Sequence, residues 1–229
     1  MNAIKKVFLS LFSLFMLSYA LTSSAIKHNR KPDLEGSWAL VTGTSSGIGE
    51  EYARQLAARG MNLILVARRE ARLVALKKEL EIKNKNTVLI LSVDLLKEGV
   101  CEEVFERATE GGREIQVLVN NAGIGKYGPF TDNPLSDHID TIELNVSVLT
   151  KLTYYFTEHM SHHGRASYIT NIASLTAYQT VAAFPVYSAT KSYVKDFTKA
   201  LRYQYRKTNL SFTCVSPGGT YSEFMEFSG

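Results

Sequence analysis

After residue 31, short runs of β-branched and other apolar residues alternate with longer stretches in which apolar residues recur at helical spacing. This order is typical of repeated β-α units, in which each helix returns the chain to the start of the next parallel strand. The 229 residues, 45% of them hydrophobic, suffice for one large α/β domain. We therefore predict a single, doubly wound parallel sheet with helices on both faces.

The pattern predicts six strands and five helices, and no internal repeat or low-complexity segment interrupts their order. The predicted strands are Trp38–Thr42, Asn62–Ala67, Thr87–Ser92, Val117–Asn120, Ser167–Ile172 and Ser211–Val215. The predicted helices are Gly47–Arg59, Glu70–Lys83, Gly99–Glu110, Leu144–His163 and Ser188–Arg206.

The net charge of +4 comes from the first 31 residues, which hold five basic side chains and no acid, so that the remaining 198 residues have a balance of −1. A nucleic-acid-binding domain concentrates positive charge on its folded surface. This sequence therefore excludes nucleic acid as a partner. We also predict no metal site. The two cysteines lie far apart, and His159, His162 and His163 lie at a predicted helix end, where cations complement the helix dipole.

Residues 7–26 form a 20-residue stretch without a charge. A helix of this length reaches across a hydrocarbon layer about 30 Å thick, which predicts a membrane anchor. Lys5 and Lys6 before the stretch, with Ser23 and Ala25 near its end, also fit a cleaved signal peptide, and a helix packed on the domain is a third alternative. We divide the chain into an apolar leader, 1–31, and one domain, 32–229.

A glycine-rich turn joins the first predicted strand to the first predicted helix, with the sequence Thr-Gly-Thr-Ser-Ser-Gly-Ile-Gly over residues 42–49. Glycines allow a tight turn and a close approach of the backbone to a ligand. The free N–H groups and the helix dipole then favour a pyrophosphate. The position of the turn, between a strand and a helix, predicts a nucleotide site at Gly43, Ser45, Ser46, Gly47, Ile48 and Gly49.

The spacing Thr-Gly-x-x-x-Gly-x-Gly resembles the short-chain dehydrogenase/reductase family, and later motifs follow in that family's order. They are Asn120-Asn121-Ala122-Gly123, Asn145, Ser174, Tyr187-Ser188-Ala189-Thr190-Lys191 and Pro217-Gly218. The resemblance covers about residues 36–225 and extends to the membrane-associated ketoacyl and steroid reductases of the family. It implies a Rossmann-like fold and an oxidoreductase that interconverts a ketone and a secondary alcohol with a nicotinamide cofactor.

The resemblance implies four catalytic residues. Tyr187 would donate a proton to the substrate carbonyl oxygen during reduction and remove it during oxidation. Lys191, one turn later, would hold the nicotinamide ribose and, together with the positive nicotinamide ring, lower the pKa of Tyr187. Ser174 would hydrogen-bond the substrate oxygen. Asn145, which opens the predicted helix, would position a water that links Lys191 to solvent, with a helix-capping role as the alternative.

The cofactor is predicted to be NADP(H) rather than NAD(H). NAD-specific relatives have an acid at the end of the second strand, where this chain has Arg68 and Arg69. Guanidinium groups suit a 2′-phosphate, although two solvated arginines at a helix start are the alternative. The resemblance implies further cofactor contacts at Asp94, Leu95, Asn121, Ala122, Gly123, Tyr187, Lys191, Pro217, Gly218 and Thr220.

The sequence ends 12 residues after Pro217, whereas members of the family usually continue through a substrate lid, a further helix and a seventh strand. We therefore expect the sixth strand to form a sheet edge. Besides a reductase of small hydrophobic carbonyl substrates, a catalytically impaired cofactor-binding protein and a dimerising fragment stay open.

The resemblance also implies a homodimer or homotetramer formed by the helices near Leu144–His163 and Ser188–Arg206. Because soluble nicotinamide cofactors are kept in the cytosol, we expect a membrane-associated protein whose domain faces the cytosol. Export after cleavage of the leader is the alternative.

Overall fold

The structure, a computed structural model, describes residues 34–218. In these residues six parallel strands form one sheet with the order β3-β2-β1-β4-β5-β6. The strands are β1 (Trp38–Thr42), β2 (Asn62–Ala67), β3 (Val88–Ser92), β4 (Ile115–Asn120), β5 (Ser167–Ile172) and β6 (Leu210–Val215). The prediction of a Rossmann-like, doubly wound sheet is confirmed, and the strand bounds differ from the predicted ones by at most two residues.

Within the same described residues, six α-helices connect or flank these strands. They are α1 (Gly47–Ala57), α2 (Glu70–Asn84), α3 (Val100–Thr109), α4 (Leu135–Ile142), α5 (Leu149–His162) and α6 (Pro185–Gln204). A π-helical turn, Glu143–Val148, joins α4 to α5, and short 3₁₀ turns lie at Glu110–Gly112 and Leu175–Ala177.

Helix α4 was not predicted from the sequence, and the predicted start of the following helix at Leu144 is wrong. The helical run begins at Leu135 and continues through the π-helical turn to the end of α5. The hydrophobic pattern did not predict α4, because this helix buries two polar side chains, His138 and Thr141. Its apolar side chains Leu135 and Ile139 are 71% and 54% exposed. A helix with this reversed pattern gives no apolar stripe for the sequence to reveal.

The sheet is buried on both faces, as a parallel sheet with helices on either side requires. Because successive side chains of a strand point to opposite faces, Val41 packs in the core beneath α1 and α2, whereas Leu40 packs in the core beneath α3 and α5. Among the described residues, β3 and β6 form the two edges of the sheet.

No helix within residues 34–218 is both long enough and apolar enough to cross a bilayer. The predicted span, residues 7–26, lies outside the described residues, and so does the predicted cofactor residue Thr220.

Candidate active site

The carboxyl ends of β1 and β4 lie side by side at the point where the strand order reverses. In an open parallel sheet this is where a ligand crevice forms. Thr42, the last residue of β1, ties the two strand ends together. Its Oγ1 accepts hydrogen bonds from the N–H groups of Asn121 and Ala122, both at 3.0 Å, and donates to the Val119 carbonyl at 3.3 Å.

The predicted phosphate turn follows Thr42 and is built by its glycines. Gly43 and Gly47 have φ values of +71° and +61°, which lie in the left-handed region that favours glycine. A Cβ on Gly49 would overlap the Gly43 carbonyl and the Asn121 side-chain amide. Only a glycine at this position therefore lets α1 lie so close to the end of β1. Ser46 makes no side-chain cap on α1, which leaves the first-turn N–H groups for an anion.

The two predicted phosphate-binding arginines occupy different environments. Arg69 reaches back to the turn: its Nη2 donates to the hydroxyls of Ser45 and Ser46, each at 2.9 Å, and its Nε to Ser45 at 3.1 Å. The Arg68 side chain is exposed, and the contact that anchors this residue is made by its backbone carbonyl, which accepts from Ser92 Oγ at 3.3 Å. The structure therefore brings Arg69, but not Arg68, into the turn.

Asp94 and Leu95 follow β3, at the same edge of the sheet. Asp94 Oδ1 accepts a hydrogen bond from the Leu96 N–H at 3.2 Å, and Leu95 is buried in the core. At the other end of the crevice, the Pro217 carbonyl accepts from the Leu175 N–H at 2.9 Å. Gly218 lies against the side chain of Leu175, next to Ser174.

Ser174, Tyr187 and Lys191 meet beside β5. Ser174 directly precedes a 3₁₀ turn, where its hydroxyl accepts a hydrogen bond from the Thr176 N–H at 3.2 Å, and it lies close enough to the Tyr187 phenol to lower the pKa of that group. Lys191 Nζ lies 5.5 Å from the centre of the Tyr187 ring and donates to the Ile172 carbonyl at 2.8 Å. Tyr187 and Lys191 are four residues apart on α6, which gives them one helix face.

Burial controls the ionisation of this cluster. Removal of the phenol from water raises the pKa of Tyr187 to about 12, and the neighbouring Ser174 hydroxyl only partly opposes this. The predicted lowering of this pKa, which depends on the nicotinamide ring as well as on Lys191, stays a prediction for the cofactor-bound protein. Burial also lowers the pKa of Lys191 to about 8, since the ammonium lies in the interior and forms no ion pair among the described residues.

Asn145 lies in the middle of the π-helical turn and is buried. Its Oδ1 accepts from the Ile124 N–H at 3.0 Å, and its Nδ2 donates to the Ile124 carbonyl at 2.8 Å and to Thr190 Oγ1 at 3.0 Å. The prediction that Asn145 opens or caps a helix is wrong, because the helical run begins ten residues earlier. The side-chain amide instead joins the loop at Ile124 to α6 at Thr190. The water-positioning role stays a prediction.

Two residues that the sequence analysis did not single out complete the cluster. A Cβ on Gly125 would lie 2.6 Å from Cδ2 of Tyr187, so the loop backbone packs directly on the ring. Thr190 joins Asn145 to α6. A Cβ on the predicted Gly123 would lie 3.3 Å from Lys191 Nζ. The spacing Gly-Ile-Gly and the threonine before Lys191 were visible in the sequence, but their contacts depend on the fold.

The histidines at the end of α5 are more than a polar helix terminus. His159 Nε2 accepts from the Ile115 N–H at 3.1 Å, and His163 Nε2 lies 3.2 Å from the Ile115 carbonyl, so both rings hold the start of β4. The interpretation as a dipole-complementing cation is wrong for His159, because its Nε2 accepts a backbone hydrogen bond and burial lowers its pKa. Within residues 34–218, no three potential ligands cluster around a metal position.

Comparisons with known proteins agree with this geometry. The short chain dehydrogenase family profile matches residues 37–228. The chain is 32% identical over 188 residues to very-long-chain 3-oxoacyl-CoA reductase of Macaca fascicularis, covering 80% of this chain and 59% of the relative. It is 32% identical over 186 residues to human 17-beta-hydroxysteroid dehydrogenase type 3, covering 80% and 58%. The chain thus spans less than two thirds of the length of these relatives.

A solved structure shows the same fold. The short-chain dehydrogenase from Sphingobium yanoikuyae, in complex with NADPH, superposes with a TM-score of 0.80 at 32% identity, over 84% of this chain and 75% of that one. The family profile spans the strands and helices that form the crevice, including every candidate catalytic residue. The chain therefore belongs to the short-chain dehydrogenase/reductase family.

Proposed function

We propose that this protein is an NADPH-dependent oxidoreductase that interconverts a ketone and a secondary alcohol. The observation that supports this most is the meeting of Ser174, Tyr187 and a buried Lys191, whose Nζ lies 5.5 Å from the centre of the Tyr187 ring, at the same crevice as the phosphate turn. A catalytically impaired protein would have no need of an interior ammonium next to a phenol, since burial of both groups disfavours their charged forms. The assembled cluster therefore favours an active enzyme.

The residues at the crevice fit a nicotinamide dinucleotide. The glycine turn and the uncapped start of α1 suit its pyrophosphate. The Arg69 guanidinium, with the hydroxyls of Ser45 and Ser46, offers donors of the kind that binds a 2′-phosphate. This donor set, and the NADPH in the Sphingobium relative, support NADP(H) over NAD(H).

The chemistry of the four side chains follows from their contacts. The bound cofactor supplies or accepts the hydride. Ser174 orients the substrate oxygen and stabilises the charge that develops there. Tyr187, with a pKa of about 12 in the cofactor-free protein, is fully protonated at neutral pH and is poised to donate its proton to that oxygen. Lys191 stays largely protonated below its pKa of about 8 and favours the phenolate that Tyr187 leaves behind.

Asn145 plays a different part in this proposal. Its side chain fixes the loop that carries Gly123 and Gly125 against Lys191 and Tyr187. It is therefore a positioning residue through its side chain. Holding a water for proton exchange between Lys191 and solvent remains part of the proposal.

The substrate is proposed to be a hydrophobic ketone. Tyr127 is 53% exposed, and its ring centre lies 5.4 Å from that of Phe184, which in turn lies 5.1 Å from that of Tyr187. This aromatic row extends from the reacting phenol to the surface and suits an apolar carbonyl compound. The names of the two relatives, a 3-oxoacyl-CoA reductase and a hydroxysteroid dehydrogenase, support the same class.

The test is NADPH oxidation by the purified 229-residue chain with a panel of ketones, followed by identification of the product alcohol. We expect turnover with long-chain and polycyclic ketones and weaker turnover with small polar ones. Saturable NADPH binding without turnover of any ketone would instead identify a cofactor-binding protein.

We further propose that residues 7–26 anchor the protein in a membrane with the domain, residues 32–229, on the cytosolic side. Support comes from the uncharged 20-residue stretch and from the cytosolic location of the cofactor. Alkaline extraction and protease protection test this. An extractable protein shortened by about 25 residues would indicate the alternative, a cleaved signal peptide and export.

Self-association through α5 and α6 is also proposed. Both helices present large exposed aromatic side chains, with Tyr154 at 65% and Tyr203 at 68% exposure. Such side chains are enriched at protein interfaces. Light scattering should then give the mass of a homodimer or homotetramer.

A further inference from the structure

Thr190 lies on α6 between Tyr187 and Lys191 and is buried. It is 3% exposed, and its Oγ1 makes two hydrogen bonds. The hydroxyl donates to the Tyr187 carbonyl, three residues earlier, at 2.8 Å. The same oxygen accepts from Asn145 Nδ2 at 3.0 Å. Thr190 is therefore the direct hydrogen-bonded link between the catalytic helix and the π-helical turn.

The other side of Asn145 holds a loop. Its amide pairs with both backbone groups of Ile124, as a neighbouring strand would, at 3.0 and 2.8 Å. Ile124 lies between two glycines that touch the reacting groups. Gly123 faces Lys191 Nζ, and Gly125 packs on the Tyr187 ring. A shift of the Asn145 side chain would therefore move the loop relative to both the ammonium and the phenol.

We propose that Thr190 is a positioning residue for the reaction. It fixes the rotation of the Asn145 amide and, through it, the distance of the Gly123–Gly125 loop from Tyr187 and Lys191. Thr190 contacts no reacting atom, so its effect passes through Asn145. The inference rests on the proposed function, because the positioned groups are the proposed catalytic ones.

The chemistry of the link decides which substitutions preserve it. The hydroxyl must donate to the helix carbonyl and accept from the amide at the same time, which a serine does and a valine does not. Thr190→Val keeps the shape and leaves one buried N–H of Asn145 without a partner. Thr190→Ser keeps both hydrogen bonds and removes one methyl group.

The same helix contains a matched control. Thr198, two turns after Thr190, is also buried. Its Oγ1 donates to the Val194 carbonyl at 2.6 Å and accepts from Asn171 Nδ2 at 3.0 Å. Thr198→Val therefore removes the same pair of hydrogen bonds from the same helix, but far from the reacting phenol. A general loss of helix packing would affect both variants alike.

The experiment compares four proteins, the wild-type 229-residue chain and its Thr190→Val, Thr190→Ser and Thr198→Val variants. Two quantities are measured: kcat and KM with NADPH and a ketone, and amide hydrogen exchange at Ile124 in the cofactor-free protein. Thr190→Val should lower kcat by about tenfold to a hundredfold with little change in the ketone KM. It should also accelerate exchange at Ile124 by about tenfold, the equivalent of one hydrogen bond.

Thr190→Ser should restore both quantities to near the wild-type values, and Thr198→Val should change neither, although both valine variants should unfold at lower temperature. Equal kcat losses in Thr190→Val and Thr198→Val, or unchanged Ile124 exchange in Thr190→Val, would overturn the inference. If the wild-type chain turned over no ketone, the proposed function would fail. The exchange measurement would still decide whether Thr190 positions the loop.

Discussion

The two halves of the crevice are built in different ways. The phosphate half comes from one continuous stretch, residues 42–49, whose glycines bring backbone against backbone. The catalytic half is assembled from β5, the π-helical turn and α6, and buried side-chain hydrogen bonds of Asn145 and Lys191 hold it together. Changes in the first half should therefore act through steric overlap and cofactor contacts, whereas changes in the second should act through hydrogen bonding and ionisation.

The largest effect is expected in the phosphate half, for Gly49→Ala. The added methyl would overlap the Gly43 carbonyl, a backbone atom that moves only with its strand. We expect a loss of about 3 kcal/mol in the free energy of unfolding, together with a severe loss of NADPH binding. Denaturant melts and cofactor titration measure both.

Gly99→Ala serves as the control, because a Cβ there meets nothing within 4 Å and only the positive φ of +72° opposes it. It should cost about 1 kcal/mol and leave NADPH binding unchanged. A Gly49→Ala protein as stable as wild type would show that α1 need not lie so close to β1.

In the catalytic half, the ionisation of Lys191 should make the free energy of unfolding depend on pH. Burial lowers the pKa of Lys191 from 10.5 to about 8, so between these values the unfolded chain holds a proton that the folded protein has lost. The folded protein therefore gains stability from this group as the pH rises from about 8 to 10.5. The unfolding free energy of wild type, relative to that of Lys191→Met, should rise across this window by at most roughly 3 kcal/mol.

Cofactor-free protein must be used for this measurement, with Lys199→Met, an exposed position on the same helix, as the control for the loss of one lysine. A difference between wild type and Lys191→Met that stays flat from pH 8 to 10.5 would contradict the account of a buried ammonium without an acidic partner.

The smallest effect separates two neighbouring arginines. Arg69→Ala should weaken NADPH binding by about 1.5–3 kcal/mol, because it removes a guanidinium held at the turn by Ser45 and Ser46. NADH binding should change little. Arg68→Ala is the matched control and should have a smaller effect, since that side chain is exposed. The reverse ranking, or equal affinity of the wild type for NADPH and NADH, would count against this cofactor assignment.

The two halves of the crevice also differ in how well the sequence predicts them. The phosphate turn was readable because glycine spacing between a strand and a helix directly reflects backbone geometry. The six strands were predictable because each is a short run of apolar residues that is contiguous in the sequence. The catalytic residues followed from the family resemblance. Helix α4 and the π-helical turn that continues it could not be predicted, because α4 buries the polar side chains of His138 and Thr141 and so has no apolar stripe.

Ionisation was the least predictable property. The sequence predicts a lowered Tyr187 pKa from Lys191 and a bound nicotinamide ring, but it does not reveal that burial raises this pKa in the cofactor-free protein. The difference between Arg68 and Arg69 was equally hidden, because it depends on which side chain the start of α2 directs toward Ser45. Both properties arise from contacts between segments distant in sequence.

The most direct test of the central claim is the Tyr187→Phe variant, measured for ketone reduction and for NADPH binding in the same preparation. The substitution removes only the phenolic hydroxyl, which carries the transferable proton, and leaves the ring in place. We expect turnover to fall by about a thousandfold or more, while the Kd for NADPH stays close to that of the wild type. Turnover at the wild-type rate would contradict the proposed role of Tyr187 and, with it, the mechanism.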